Sequence, residues 1–168
     1  MTPDDLVVTR WGARFQGRRL PCAVGRGGIT QDKREGDGAT PAGTWRLVFG
    51  AYRADRTLPP PSVLPLVPIS PADIWSDDPA DPAYNHWLHA HGHPFGHERL
   101  RRAGPLYDLV LMSDWNWPDA RPGKGSAIFI HAWRRPRYPT AGCIAFRPVH
   151  LRWIVARWTT RSRVRVYP

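Results

Sequence analysis

At 168 residues, 42% apolar and 23% charged, the chain is large enough for one hydrophobic core and too small for two, and its composition excludes a disordered or membrane-embedded protein. No run of eighteen apolar residues occurs, which excludes a membrane-spanning helix. The formal net charge of +10 predicts attraction to polyanions, yet no nucleic-acid-binding motif accompanies it.

A single domain over residues 1–168 is expected. With 19 Pro and 15 Gly, long helices are broken too often to form, so short strands joined by extended loops should dominate. Met1 to Arg10 carries Asp4 and Asp5 and no apolar stretch behind a positive charge, so no secretory signal is visible. Basic residues are scattered, apart from Arg134, Arg135 and Arg137 and the tail of Arg157, Arg161, Arg163 and Arg165.

Along the chain, Leu6 to Thr9 and then Arg14 to Val24 read as an N-terminal hairpin of strands. The glycine-rich stretch from Gly25 to Gly43 is expected to be loop, and Thr44 to Phe49 a strand. Leu58 to Pro82 is proline-rich, with room for one or two short strands. The next segment holds His86, His89, His91, His93 and His97, and Glu98 to Arg102 reads as a short helical turn. Tyr107 to Met112 and Ser126 to His131 are apolar runs of buried strands. Pro148 to Thr159 carries Leu151, Ile154, Val155 and Trp158 on a helical stripe, and Arg163 to Tyr167 alternates as a closing strand. The sum is a mostly β, mostly antiparallel fold with a packed helix.

Chemistry points to the C-terminal third. A free thiol titrates at about 8.5 and needs a proton-accepting neighbour to act as a nucleophile. His131 ends a strand, and Gly142 lets the chain turn sharply into Cys143. Imidazole and sulfur at such a turn can meet, with the amides of Gly142 and Cys143 as oxyanion donors. From spacing alone, a buried small cysteine and a strand-end histidine are the plainer reading, since one Cys and one His are a weak signal. Cys22, beside Pro21, Ala23 and Val24, reads as a buried apolar residue.

The run IFIHAWRRPRYPTAGCIAF, Ile128 to Phe146, resembles the signature of the YkuD-type L,D-transpeptidases through Ile130, His131, Thr140, Gly142, Cys143 and Ile144. GDGATPAGTWRL at Gly36 to Leu47 resembles a further element of that family through Thr40, Pro41, Gly43 and Trp45. WSDDPADPAYN at Trp75 to Asn85 and YDLVLMSDWN at Tyr107 to Asn116 resemble its proteobacterial, ErfK/YbiS-like branch. Departures are Ala141 where the family commonly has His, Ala145 where it has Arg or Asn, and only eight residues between His131 and Thr140.

The resemblance implies a β-sandwich or barrel with one or two packed helices, and acyl transfer between peptidoglycan stem peptides. Cys143 is then the nucleophile, His131 the base, and Gly142 and Thr140 the oxyanion turn. Tyr84, Asn85, Trp115, Asn116 and Arg147 become candidate substrate contacts, and the Arg134, Arg135 and Arg137 group a candidate carboxylate anchor. It implies no cofactor, inhibition by carbapenems, a monomer without nucleic acid or membrane insertion, and a periplasmic or envelope location. Three other readings are open: a metal site on the histidine cluster, a polyanion- or nucleic-acid-binding module, and a hydrolase or carboxypeptidase. Among the hydrolases, the NlpC type places Cys ahead of His, the reverse of the order here.

Overall fold

The structure, a computed structural model, describes residues 2–168. Period-two alternation organises the N-terminal part: Leu6, Val8, Ala13, Phe15 and Leu20 point inward while Arg14, Arg18 and Arg19 point out. Leu6–Thr9, Gly12–Phe15 and Arg18–Leu20 form an antiparallel meander. Val164–Val166 adds to its edge in parallel with Leu6–Thr9, and Gly43–Trp45 completes the five-stranded sheet.

The second sheet has six strands in the order Cys22–Ala23, Ile144–Phe146, Phe129–Ala132, Leu109–Ser113, Leu47–Tyr52 and Leu66–Pro68. The strand expected over Thr44 to Phe49 is therefore two. Arg46 makes the corner between the sheets, exchanging backbone and side-chain hydrogen bonds with Asp114 at 2.8 and 3.0 Å. A three-stranded sheet, Trp87–His89, Asp73–Ser76 and His97–Arg99, packs alongside.

Two cores result. Between the sheets lie Leu6, Phe15, Trp45, Leu109, Leu111, Ile130, Ile144 and Phe146, closed by Leu151, Ile154 and Val155 of the helix Pro148–Val155. On the other face of the six-stranded sheet, Ala51, Val110, Met112 and Phe129 pack against Trp75, Leu100 and Tyr107. Each fully buried side chain of this size contributes about 1.5–3 kcal/mol, so the sheet is held from both sides. The mostly β architecture with one packed α-helix agrees with the sequence reading.

Three local expectations are corrected. The Gly25 to Gly43 stretch holds a small parallel pair, Ile29–Thr30 with Thr40–Pro41. Glu98 lies in a strand, because pairing of His97–Arg99 with Asp73–Ser76 overrides local helix preference. The helix stops at Val155, short of Thr159, since Thr159 is taken into a turn by Ser162, whose hydroxyl accepts its N–H at 3.1 Å.

Candidate active site

Strand alternation sets the direction of both candidate side chains. Ile128 and Ile130 face the inter-sheet core, so Phe129 and His131 face the opposite side, where His131 meets the ring of Tyr107 edge-on at 5.3 Å. The neighbouring strand runs parallel, with Ile130 opposite Ile144 and His131 opposite Ala145. Ile144 joins the inter-sheet core, so Cys143, one residue earlier, packs on the same side as Phe129 and His131. Cys143, just ahead of the strand Ile144–Phe146, is thus a diagonal neighbour of His131 on the same sheet face.

The turn into Cys143 is braced by two threonines. The Thr140 hydroxyl accepts the Gly142 N–H at 3.1 Å and donates to the Cys143 carbonyl at 2.6 Å. Thr40, fully buried, accepts the Gly25 N–H and donates to the Gly142 carbonyl, both at 2.8 Å. Gly142 has φ +142°, and a Cβ there would stand 3.0 Å from the Ala39 carbonyl, so only glycine fits. The expected pair of oxyanion donors is reduced to one: the Gly142 amide is engaged by Thr140, whereas the Cys143 amide has no acceptor among the described residues.

Burial favours the uncharged form of both side chains. The Cys143 thiol donates to the Ala127 carbonyl at 3.1 Å and accepts the Phe129 N–H at 3.4 Å. Burial against these groups pushes it up to about 12, and the nearby Glu98 carboxylate adds to the rise. His131 donates through Nδ1 to the Ala132 carbonyl at 2.7 Å, which leaves the lone pair on Nε2. Its burial lowers it to about 4, with the Arg102 charge acting the same way.

That depression predicts a pH effect on stability. The unfolded imidazole takes a proton near 6.5, the folded one only near 4, so the stabilisation present above 6.5 is lost as pH falls through that window. Its size is on the order of 3 kcal/mol. Denaturant titrations between pH 7 and 4 should show the natural protein losing that much more than His131→Gln.

The two side chains open into one cleft of about 640 Å³. Glu98, Arg102 and Tyr107 form a cluster on its lining: Arg102 pairs with Glu98, the Tyr107 hydroxyl donates to Glu98 at 2.5 Å, and the Arg102 guanidinium lies 4.6 Å over the Tyr107 ring. Asp77 and Glu35 line the cleft too, as do Arg26 and Arg134. Of the arginine group singled out from sequence, only Arg134 reaches it; Arg135 stacks on Tyr138 at 4.2 Å.

The other expected substrate contacts stand elsewhere. Arg147 is exposed at the start of the helix, outside the cleft. The Tyr84 hydroxyl donates to Glu35, a bond that together with burial pushes the phenol upward. Trp115 packs on Trp45 and donates to the Lys124 carbonyl at 3.1 Å. Asn116 is consumed by Arg121 and Gly125.

Asn85, 1% exposed, spends its amide entirely on the protein. Its Oδ1 accepts from the Trp75 indole at 2.9 Å and the Ala127 N–H at 3.0 Å, and its Nδ2 donates to the Trp115 and Asn116 carbonyls. It thereby holds Ala127 at φ +50°, the residue whose carbonyl receives the thiol proton. Asn85→Ala leaves these partners unpaired and should cost on the order of 3 kcal/mol in a denaturant titration.

The five clustered histidines do not converge on one point, although the rings of His89 and His91 and those of His93 and His97 meet edge-on. His89 meets Asp73 at 3.0 Å, His93 meets Asp81 at 2.7 Å, and His86 and His97 bond to local carbonyls. Among the described residues no three His, Cys, Asp or Glu side chains gather as a metal site. Three features of the site escaped sequence reasoning. Ala127 carries no side-chain signal, Arg26 lay hidden in a glycine-rich loop, and Glu98 and Arg102 were read only as the ends of a short helical turn.

Neither curated proteins nor solved structures returned a match to this chain. The family profile described as YkuD, L,D-transpeptidase catalytic domain, matches residues 6–166, nearly the whole sequence and all of the cleft. With a two-sheet fold and a Thr-x-Gly-Cys turn facing a strand-end histidine, the chain belongs to the YkuD family of L,D-transpeptidase catalytic domains.

Proposed function

We propose that this chain is a single-domain peptidoglycan L,D-transpeptidase of the ErfK/YbiS-like branch, acting in the cell envelope with Cys143 as nucleophile and His131 as base. The observation that carries this reading is the diagonal placement of Cys143 and His131 on one sheet face, both open to one cleft. With Nδ1–H donated to the Ala132 carbonyl, the Nε2 lone pair of His131 is the atom left to take a proton.

Substrate entry draws the thiol proton from the Ala127 carbonyl to His131 Nε2. The sulfur attacks a stem-peptide carbonyl, and the negative oxygen receives the Cys143 N–H, a donor worth roughly 2.7–4 kcal/mol. The C–N bond breaks, His131 returns the proton to the leaving amine, and a thioester remains. An acceptor amine then attacks the thioester, giving its proton to His131, and the sulfur leaves to be reprotonated. Water in place of the amine gives hydrolysis.

The charge of the cleft favours this class of substrate. Glu35, Asp77 and Glu98 share it with Arg26, Arg102 and Arg134. A stem peptide carries ammonium and carboxylate groups together, and a cleft of both signs can receive each. Among the described residues no helix is long and apolar enough to cross a membrane. Incubation with purified muropeptides followed by mass analysis should give crosslinked or trimmed species. Unchanged muropeptides, or the same products from Cys143→Ala, would remove the proposed reaction.

A further inference from the structure

The five-stranded sheet carries a second groove, of about 510 Å³, that the reaction above does not use. Arg14, Arg19, Arg137 and Trp11 line it, and no carboxylate does. Trp11 is 72% exposed, with the Arg10 guanidinium 4.4 Å from its ring centroid.

This positive charge is gathered on one side of the sheet. Arg19 and Arg137 have no carboxylate partner among the described residues, and no carboxylate lines the groove beside them. Arg14 and Arg19 also stand directly opposite one another on adjacent strands. Their side chains therefore lie side by side on one face of the sheet.

The groove is joined to the cleft by one loop. Arg134, Tyr138 and Thr140 line the cleft, and Arg137, between them in sequence, lines the groove. We propose that the groove is an exosite for a carboxylate-bearing stem peptide adjacent, on the same polymer, to the one reacting in the cleft. Guanidiniums bind the carboxylates, the exposed indole covers an adjoining sugar or peptide face, and binding at two points raises the effective concentration of the reacting stem. This inference rests on the peptidoglycan reading, and its test separates the two.

Binding is measured first by co-sedimentation of Cys143→Ala protein with insoluble peptidoglycan, where no turnover is needed. Arg19→Glu and Trp11→Ala, added to that background, should each weaken binding about ten-fold, Arg19→Gln less, and rising salt should mimic them. Amide-capping of the polymer carboxylates should weaken it equally. In the active protein, the same two substitutions should lower kcat/KM on polymer about ten-fold while leaving isolated muropeptides within about two-fold. Polymer binding indifferent to Arg19→Glu, to capping or to salt would overturn the exosite, as would equal losses on polymer and monomer. So would tighter, Arg19-dependent binding to duplex DNA of matched charge. Absence of a Cys143 thioester on isolated muropeptides, with polymer binding intact and sensitive to Arg19, would instead refute the reaction and leave the groove standing.

Discussion

Cys143→Ala is expected to abolish acyl transfer, with product release falling by a factor on the order of 10⁶, the scale seen when a covalent nucleophile is removed. The fold should survive. The sulfur contributes two hydrogen bonds, to Ala127 and Phe129, and one side of a contact with the second core, so its loss costs about 1 kcal/mol. Cys22→Ala is the matched control. Cys22 is also buried and pushed up to about 12, but it sits on the edge strand Cys22–Ala23, facing the inter-sheet core. Its replacement should leave turnover within about two-fold, because no reacting group touches it. Equal losses from both substitutions would mean that thiol burial, not nucleophilicity, is what the assay reads.

His131→Gln should lower kcat by roughly 10²–10⁴-fold, the range for removal of a general base. The pH profile distinguishes this role from a packing role. His131 must be neutral to accept the thiol proton, and its depression to about 4 keeps it neutral over nearly the whole accessible range. The rate of the natural protein should therefore fall only as pH drops through about 4, and the variant should lack that acid limb. An acid limb near the ordinary histidine value, removed by His131→Gln, would show an imidazole more solvated than its 5% exposure indicates.

The large pieces of this account were legible before any coordinates. An apolar run marked the start of the N-terminal hairpin, continuous apolar runs marked the buried strands around Leu111 and Ile130 because two-sided burial writes apolar side chains at every strand position, and alternation marked the closing strand at Val164. His131 and Cys143 were readable from residue type and the glycine between Thr140 and Cys143. What stayed hidden depended on long-range pairing. The strand at His97–Arg99 exists because Asp73–Ser76 runs beside it, and no local propensity in a His-Glu-Arg triplet announces that. The parallel register that sets His131 diagonal to Cys143 is a property of two strands at once.

Side-chain roles were less legible than positions. Asn85 was a candidate substrate contact because it lies in a segment that resembles the family, but an amide with four internal partners and 1% exposure serves the protein instead. Arg147 looked suited to replace the charge missing at Ala145, yet the helix that begins at Pro148 carries it away from the cleft, and Arg26 and Arg134 stand there in its place. A one-dimensional reading has no means to distinguish an arginine aimed inward from one aimed at solvent.

The most direct measurement is intact-protein mass spectrometry after brief exposure to a purified stem-peptide donor without acceptor amine, followed by peptide mapping. An acyl adduct confined to the peptide containing Cys143, released by hydroxylamine, absent from Cys143→Ala and slowed in His131→Gln, is the predicted result. Turnover with no adduct at Cys143, or an adduct whose formation ignores the loss of His131, would contradict the cysteine–histidine mechanism.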